Sequence, residues 1–257
     1  MVNDTTESKE LERYSFSKLS SFYTCKLGYQ LSYIEHLKGQ SNSFALYGTF
    51  VHELMEKYAK GEIDLYDLPD VYEEKFEKEV NIPFPDSPFC DLKSLYYKQG
   101  LNFLQKFLGY ENYEILGIEK EFTIQIDDWL FNGFIDLILR DKKTNELIIL
   151  DYKSKAKFKN KLEKQKYARQ LYLYSIYIKQ EFGQFPDRLV FLMFRKQNIE
   201  NIAFDSLEFH EALTWARYAV SAIRKEKEYL PTYDEFFCNN LCNHRQYCKH
   251  KNCSRKK

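Results

Sequence analysis

The sequence predicts an α/β protein, and three features of its 257 residues predict it. Residues 131–155, FNGFIDLILRDKKTNELIILDYKSK, place two runs rich in Ile, Leu and Phe around a polar turn from Lys142 to Asn145. That is the pattern of a hairpin of two buried strands. In 113–126, Leu116, Ile118, Phe122, Ile124 and Ile126 alternate with polar or small residues, among them Glu119 and Glu121, as a half-exposed strand requires. On either side of these strands, apolar residues recur at helical spacing.

Taken in order, residues 1–13 are polar and acidic and read as a disordered leader, unlike a secretory signal or an Arg-rich transit peptide. Tyr14 to Leu37 reads as helical, with Ser15 and Ser17 as candidate caps. In 44–60, Leu46, Phe50, Val51, Leu54, Met55 and Tyr58 make one apolar helix face, with His52 beside it and Glu53 and Glu56 on the solvated side. A short helix near 67–80 leads into a loop punctuated by Pro83, Pro85 and Pro88, and a helix follows near 91–110. Beyond the hairpin, residues 153–169 carry seven lysines, one arginine and one acid. A helix over 165–182, a strand over 188–194 and a helix over 206–228 complete the alternation. The whole reads as one domain over 14–257, divided into a helical part (14–112), a sheet core (113–205) and a C-terminal helix with a cysteine group (206–257).

At 44% apolar and 30% charged residues, the composition is that of a soluble globular protein. No apolar run approaches the ~20 residues that span a bilayer. A cytoplasmic location without a membrane partner is expected. The formal net charge of zero argues neither for nor against nucleic acid, since a binding groove needs only local positive charge.

The chemistry concentrates in the hairpin. A buried strand disfavours acids, yet Asp136 lies inside the first apolar run and Asp151 and Lys153 end the second. Asp151 and Lys153, two apart, leave one face of a strand. A carboxylate in an apolar sheet is costly unless paired or bound to a cation. Two carboxylates beside a lysine offer hard oxygen ligands for Mg²⁺ or Mn²⁺ plus a fixed positive charge, although a lone Asp/Lys pair also suits a structural ion pair.

These residues resemble the PD-(D/E)xK nuclease superfamily: Gly133-Phe134-Ile135-Asp136 is similar to its first acidic motif, and Asp151-Tyr152-Lys153 to its (D/E)xK motif. Gly48-Thr49-Phe50-Val51-His52 is similar to the G-T-x-x-H motif of its RecB-like branch, and Gln170 with Tyr174 to the Gln-x-x-x-Tyr motif that follows the lysine there. The segment SFSKLSSFYTCKLGYQL, containing Cys25, resembles the N-terminal segment of the members that carry an iron–sulfur cluster, with Lys26 where they usually have Pro. The resemblance extends to the nuclease domain of AddB, to CRISPR-associated four-cysteine exonucleases and to phage-encoded relatives. It implies a central mixed sheet with helices on both faces and a cysteine-bound C-terminal lobe. It also implies a metal held by His52, Asp136, Asp151 and the carbonyl of Tyr152. Lys153, Gln170 and Tyr174 would act on water and phosphate, and the implied activity is an exonuclease on single-stranded DNA ends. Lys155, Lys157, Lys159 and Lys161, leaving the sheet directly after Lys153, are candidate contacts to the phosphate backbone. A helicase or recombination protein is a candidate partner, since the chain has no G-x-x-x-x-G-K-[ST] of its own. A non-cleaving DNA-binding or scaffold subunit is the alternative reading.

Six cysteines are present, four of them crowded at Cys238, Cys242, Cys248 and Cys253. In a reducing compartment such crowding points to a metal rather than to disulfides. Thiolates accept zinc or an iron–sulfur cluster. The resemblance favours a [4Fe–4S] cluster on Cys25, Cys238, Cys242 and Cys248, with Cys253 as the alternative to Cys238 and zinc as the alternative metal. Cys90 is expected to be a non-ligand.

Overall fold

The computed structural model describes residues 10–250. Six strands form one mixed sheet: β1 (Arg13–Tyr14), β2 (Tyr113–Ile126), β3 (Trp129–Asp141), β4 (Leu147–Lys153), β5 (Arg188–Met193) and β6 (Asn198–Ala203). The long β2 and β3 pair antiparallel from Ile126↔Trp129 to Tyr113↔Asp141. On the other edge of β3, β4 pairs antiparallel at Leu137–Arg140 and β1 pairs parallel at Leu130–Phe131. β5 then runs parallel to β4, and β6 closes the far edge antiparallel to β5.

Helices cover both faces. On one, α1 (Phe16–Thr24), α6 (Lys161–Phe182) and α7 (Ser206–Lys225) bury Leu19, Leu171 and Ala216 against Phe131, Ile135, Ile149 and Phe191. On the other, α3 (Ser43–Ala59), α4 (Leu68–Glu79) and α5 (Leu92–Lys106) bury Val51, Tyr72 and Leu104 against Leu137, Leu139, Leu150 and Val190.

That partition exposes an irregularity in β3. Alternate residues of a regular strand share a face. Yet Phe131 and Ile135 belong to the first core while Leu137 and Leu139 belong to the second, so the strand changes faces at Asp136. β2 changes faces beside it, between Ile118 and Phe122, and Glu119 takes the left-handed φ of 43°. At the same place, positions 132–136 of β3 lie between its pairing with β1 and its pairing with β4, with no strand on that edge among the described residues. The sheet therefore has a gap, and its most polar residues line it.

Several expectations are corrected. Residues 1–9 of the expected leader lie outside the described residues, and at its end Arg13–Tyr14 form β1, with the carbonyl of Glu12 accepting from Leu130 N–H at 2.9 Å. The helix expected over 14–37 is two, α1 and α2 (Lys26–Tyr33), because Cys25 is extended and its Sγ caps α2 by accepting from Gly28 N–H. The helix near 91–110 stops at Lys106. α6 starts at Lys161, capped by Asn160, earlier than the apolar periodicity indicates. β6 was not expected, since its sequence NIENIA is half-exposed throughout. No helix among the described residues is long and apolar enough to cross a membrane.

Candidate active site

The gap in the sheet brings together seven residues singled out from the sequence. Asp136 stands at the change of faces, and its Oδ2 accepts the Tyr152 N–H at 2.6 Å, a backbone group that the interrupted β3–β4 ladder leaves free. Asp151 and Lys153 share the face of β4 turned to α6, with Lys153 Nζ 2.6 Å from Asp151 Oδ2. From α6, Gln170 Oε1 accepts from Lys153 Nζ at 3.2 Å, and Gln170 Nε2 donates to the Tyr174 hydroxyl at 3.0 Å. Tyr174 lies over Gly133, where a Cβ would stand 2.8 Å from its ring. From the opposite layer, α3 delivers His52, whose Nε2 donates to the Tyr152 carbonyl at 2.9 Å and lies 3.7 Å from Asp136 Oδ2. α3 comes close through Gly48, where a Cβ would meet Ser154 Oγ at 3.2 Å.

Burial dominates the electrostatics. It pushes Asp136 well above the ordinary carboxylate range, repulsion from Asp151 adds to this, and Lys153 and the Tyr152 N–H only partly offset it. Burial also works to lower Lys153, but attraction from Asp151 and Asp136 outweighs it and holds the ammonium above its usual value. His52 is lowered, chiefly by burial, against the raising influence of Asp151 and the Tyr152 carbonyl, so its neutral form is favoured.

Asp151 Oδ2 is buried and faces the Lys153 ammonium at 2.6 Å. A buried carboxylate, a second acid disfavoured as an anion, a carbonyl and a neutral imidazole form a donor set that fits a hard divalent cation. As they stand, these groups are held by Lys153 and by one another, and among the described residues no three His, Cys, Asp or Glu side chains are grouped to hold a metal ion.

The sequence of residues 13–249 matches the family model of the PD-(D/E)XK nuclease superfamily. The chain belongs to that superfamily. A solved structure described as a candidate exonuclease, from Eubacterium rectale, shares the nuclease fold at a TM-score of 0.51 with 14% identity, over 97% of this chain and 94% of that one. A second solved structure, SSO0001, gives a TM-score of 0.40 with 14% identity, over 94% of this chain and 87% of that one. No curated protein matches the chain in sequence.

One acid of this PD-(D/E)XK nuclease that the sequence placed on a polar surface, Glu119, adjoins the site. Glu119 is raised by burial first, then by Glu56, with a contribution from Asp151, and it in turn raises Asp136. A regular alternation over 113–126 conceals this, because the change of faces at Glu119 leaves no mark in the spacing. Tyr152 is anchored by a hydroxyl–hydroxyl hydrogen bond to Tyr110. The lysine run is likewise more ordered than its composition indicates: Phe158 is buried, its ring 5.2 Å from that of Tyr167 and 5.3 Å from that of Phe191. Lys155 pairs with Glu163 at 3.0 Å, the Lys159 N–H donates to the same carboxylate, and Lys157 and Lys161 are exposed.

The C-terminal segment lies against the N-terminal helices. Gln40 N–H donates to the Asn243 carbonyl at 2.8 Å, His244 Nε2 lies 2.7 Å from Ser32 Oγ, and Tyr229 stacks on Tyr29. Burial, with Cys238, Cys25 and Cys248 as neighbours, raises the Cys242 thiol. No disulfide joins the described cysteines. Cys253 lies outside the described residues, and Cys90 is exposed.

Proposed function

We propose that this nuclease hydrolyses DNA phosphodiester bonds with Mg²⁺ or Mn²⁺, acting as an exonuclease on single-stranded ends. The observation that supports this best is the convergence of Asp136, Asp151 and Lys153 at the sheet gap, with His52 and Gln170 reaching it from opposite layers. His52, Asp136, Asp151 and the Tyr152 carbonyl would hold the cation, which when bound lowers the pKa of a water and polarises the phosphate. Lys153, kept charged by the two acids, neutralises charge building on the phosphate oxygens in the transition state. Gln170 fixes the Lys153 ammonium, and Tyr174 fixes Gln170. Burial keeps His52 neutral, with a nitrogen able to act as a ligand.

The reading includes a structural [4Fe–4S] cluster, or zinc, on Cys25, Cys238, Cys242 and Cys248, with Cys253 as the alternative to Cys238. The neighbourhood of Cys242, where burial first and then Cys238, Cys25 and Cys248 raise its thiol, supports it. Hydrolysis needs no redox step, so the metal group would tie the C-terminal segment to α1 and α2. A helicase or recombination protein would supply the unwound strand.

End-labelled single-stranded DNA and closed circular single strands, incubated with Mn²⁺, Mg²⁺ or EDTA, test the proposal. Metal-dependent loss of the linear strand with the circle intact is the expected result. Cutting of the circle would make the enzyme an endonuclease. Absence of cleavage in both metals would favour the non-cleaving DNA-binding alternative.

A further inference from the structure

A cleft of 550 Å³ opens between α1, α6 and α7, away from the sheet gap, and is lined by Phe16, Tyr23, Lys166, Tyr167, Arg169 and Trp215. Its floor is aromatic. The Trp215 ring lies 5.8 Å from Phe16 and 5.9 Å from Tyr23, and the Arg169 guanidinium sits 5.2 Å from its centre. Tyr23 is 53% exposed, leaving a ring face open to solvent where a core residue would be covered. The cations differ from their neighbours in sequence: Lys164 on the same helix pairs with Glu200, and Lys155 ahead of the helix pairs with Glu163, whereas Lys166 and Arg169 have no carboxylate partner among the described residues. Tyr167 links the cleft to the site, since its ring centre lies 5.7 Å from Lys153 Nζ and 5.1 Å from Lys155 Nζ.

We propose that this cleft binds single-stranded nucleic acid, a base stacking on Tyr23 beside Trp215 and its phosphates meeting Lys166 and Arg169, on a path that passes Tyr167 into the sheet gap. The choice of occupant rests on the nuclease reading above. Open aromatic faces bind any base but need it unpaired, and unpaired cations bind the backbone without regard to sequence. A duplex offers no free base faces along its length.

The test is binding without cleavage. A fluorescently labelled oligothymidylate is titrated in EDTA with wild type, Tyr23→Ala and Lys166→Ala, both exposed positions whose variants retain the core, and melting curves confirm folding. Tyr23→Ala should weaken binding about tenfold. Lys166→Ala should weaken it and reduce the slope of log affinity against log salt by about 0.7. Trp215 fluorescence should be quenched on binding, while Trp129, 2% exposed, stays silent. Unchanged affinity in both variants, unquenched Trp215 or tighter binding of duplex would overturn the inference. A protein that cleaves DNA but whose cleft variants bind normally removes the cleft and keeps the nuclease. Cleft-dependent strand binding by a protein that never cleaves does the reverse.

Discussion

Asp136 costs the folded chain stability when it ionises without a cation. Its folded pKa is raised, so its contribution to stability is fully present below the unfolded carboxylate pKa, about 4, and is lost as pH rises through the folded value. Asp136→Asn keeps an acceptor for the Tyr152 N–H and removes the charge. In EDTA at neutral pH the variant should melt higher than wild type, and the difference should shrink toward pH 4. Added Mn²⁺ should raise the melting temperature of wild type, by selective binding to the native state, and leave the variant unmoved. A variant that melts lower in EDTA at neutral pH contradicts this account of the site. Because a proton and a cation compete for the same carboxylate, Mn²⁺ affinity of the metal-free protein should begin to fall above the ordinary carboxylate range as pH is lowered. His52, lowered by burial, loses its neutral form only at a pH below that of free imidazole. At this scale Asp136, Asp151 and Lys153 stood out because acids and a lysine in apolar strands violate the pattern around them, whereas His52, on a helix, stood out only through the resemblance to the G-T-x-x-H motif. Glu119 did not, because an acid on the polar side of an alternating strand violates nothing.

Among the elements, the junction of β3 with α6 is the most tightly specified. At Gly133 a Cβ would stand 2.8 Å from the Tyr174 ring and 3.0 Å from Phe122, and those two rings already pack edge to face. Gly133→Ala should therefore cost about 1–3 kcal/mol of stability by overpacking. It should also displace Tyr174 and, through it, Gln170 and Lys153, lowering the cleavage rate at least tenfold. Chemical denaturation and initial rates on the same preparation check both, and a variant with wild-type rate and stability would refute the close packing. The elements most clearly written in the sequence, β3, β4, β5 and α3, are those whose apolar period is set by burial on one or both faces. The break at Cys25 and the edge strand β6 were hidden. The first depends on a thiol capping a helix, and the second pairs by its backbone while its side chains stay half-exposed.

At the scale of the whole molecule, the chain closes on itself. Its C-terminal segment packs on α1 and α2 and brings Cys242 near Cys25, a separation that no local pattern encodes and that only the family resemblance anticipated. If these thiols hold metal, Cys25→Ser and Cys248→Ser should each lower bound iron or zinc per chain and the melting temperature, while Cys90→Ser, exposed in its loop, should change neither. Equal metal content in all three variants contradicts the assignment. The α/β class followed from element order and the mixed sheet with helices on both faces from the family resemblance, but its gap followed from neither, because pairing registers lie outside a single sequence. The central claim is that this gap carries metal-dependent phosphodiester hydrolysis. Its most direct test is the rate of Mn²⁺-dependent cleavage of single-stranded DNA by wild type and Lys153→Ala, prepared in parallel with matched melting curves. The account predicts cleavage by wild type, none in EDTA, and a loss of at least a hundredfold in the variant, about 2.7 kcal/mol of transition-state stabilisation. Cleavage by the variant at the wild-type rate would contradict it.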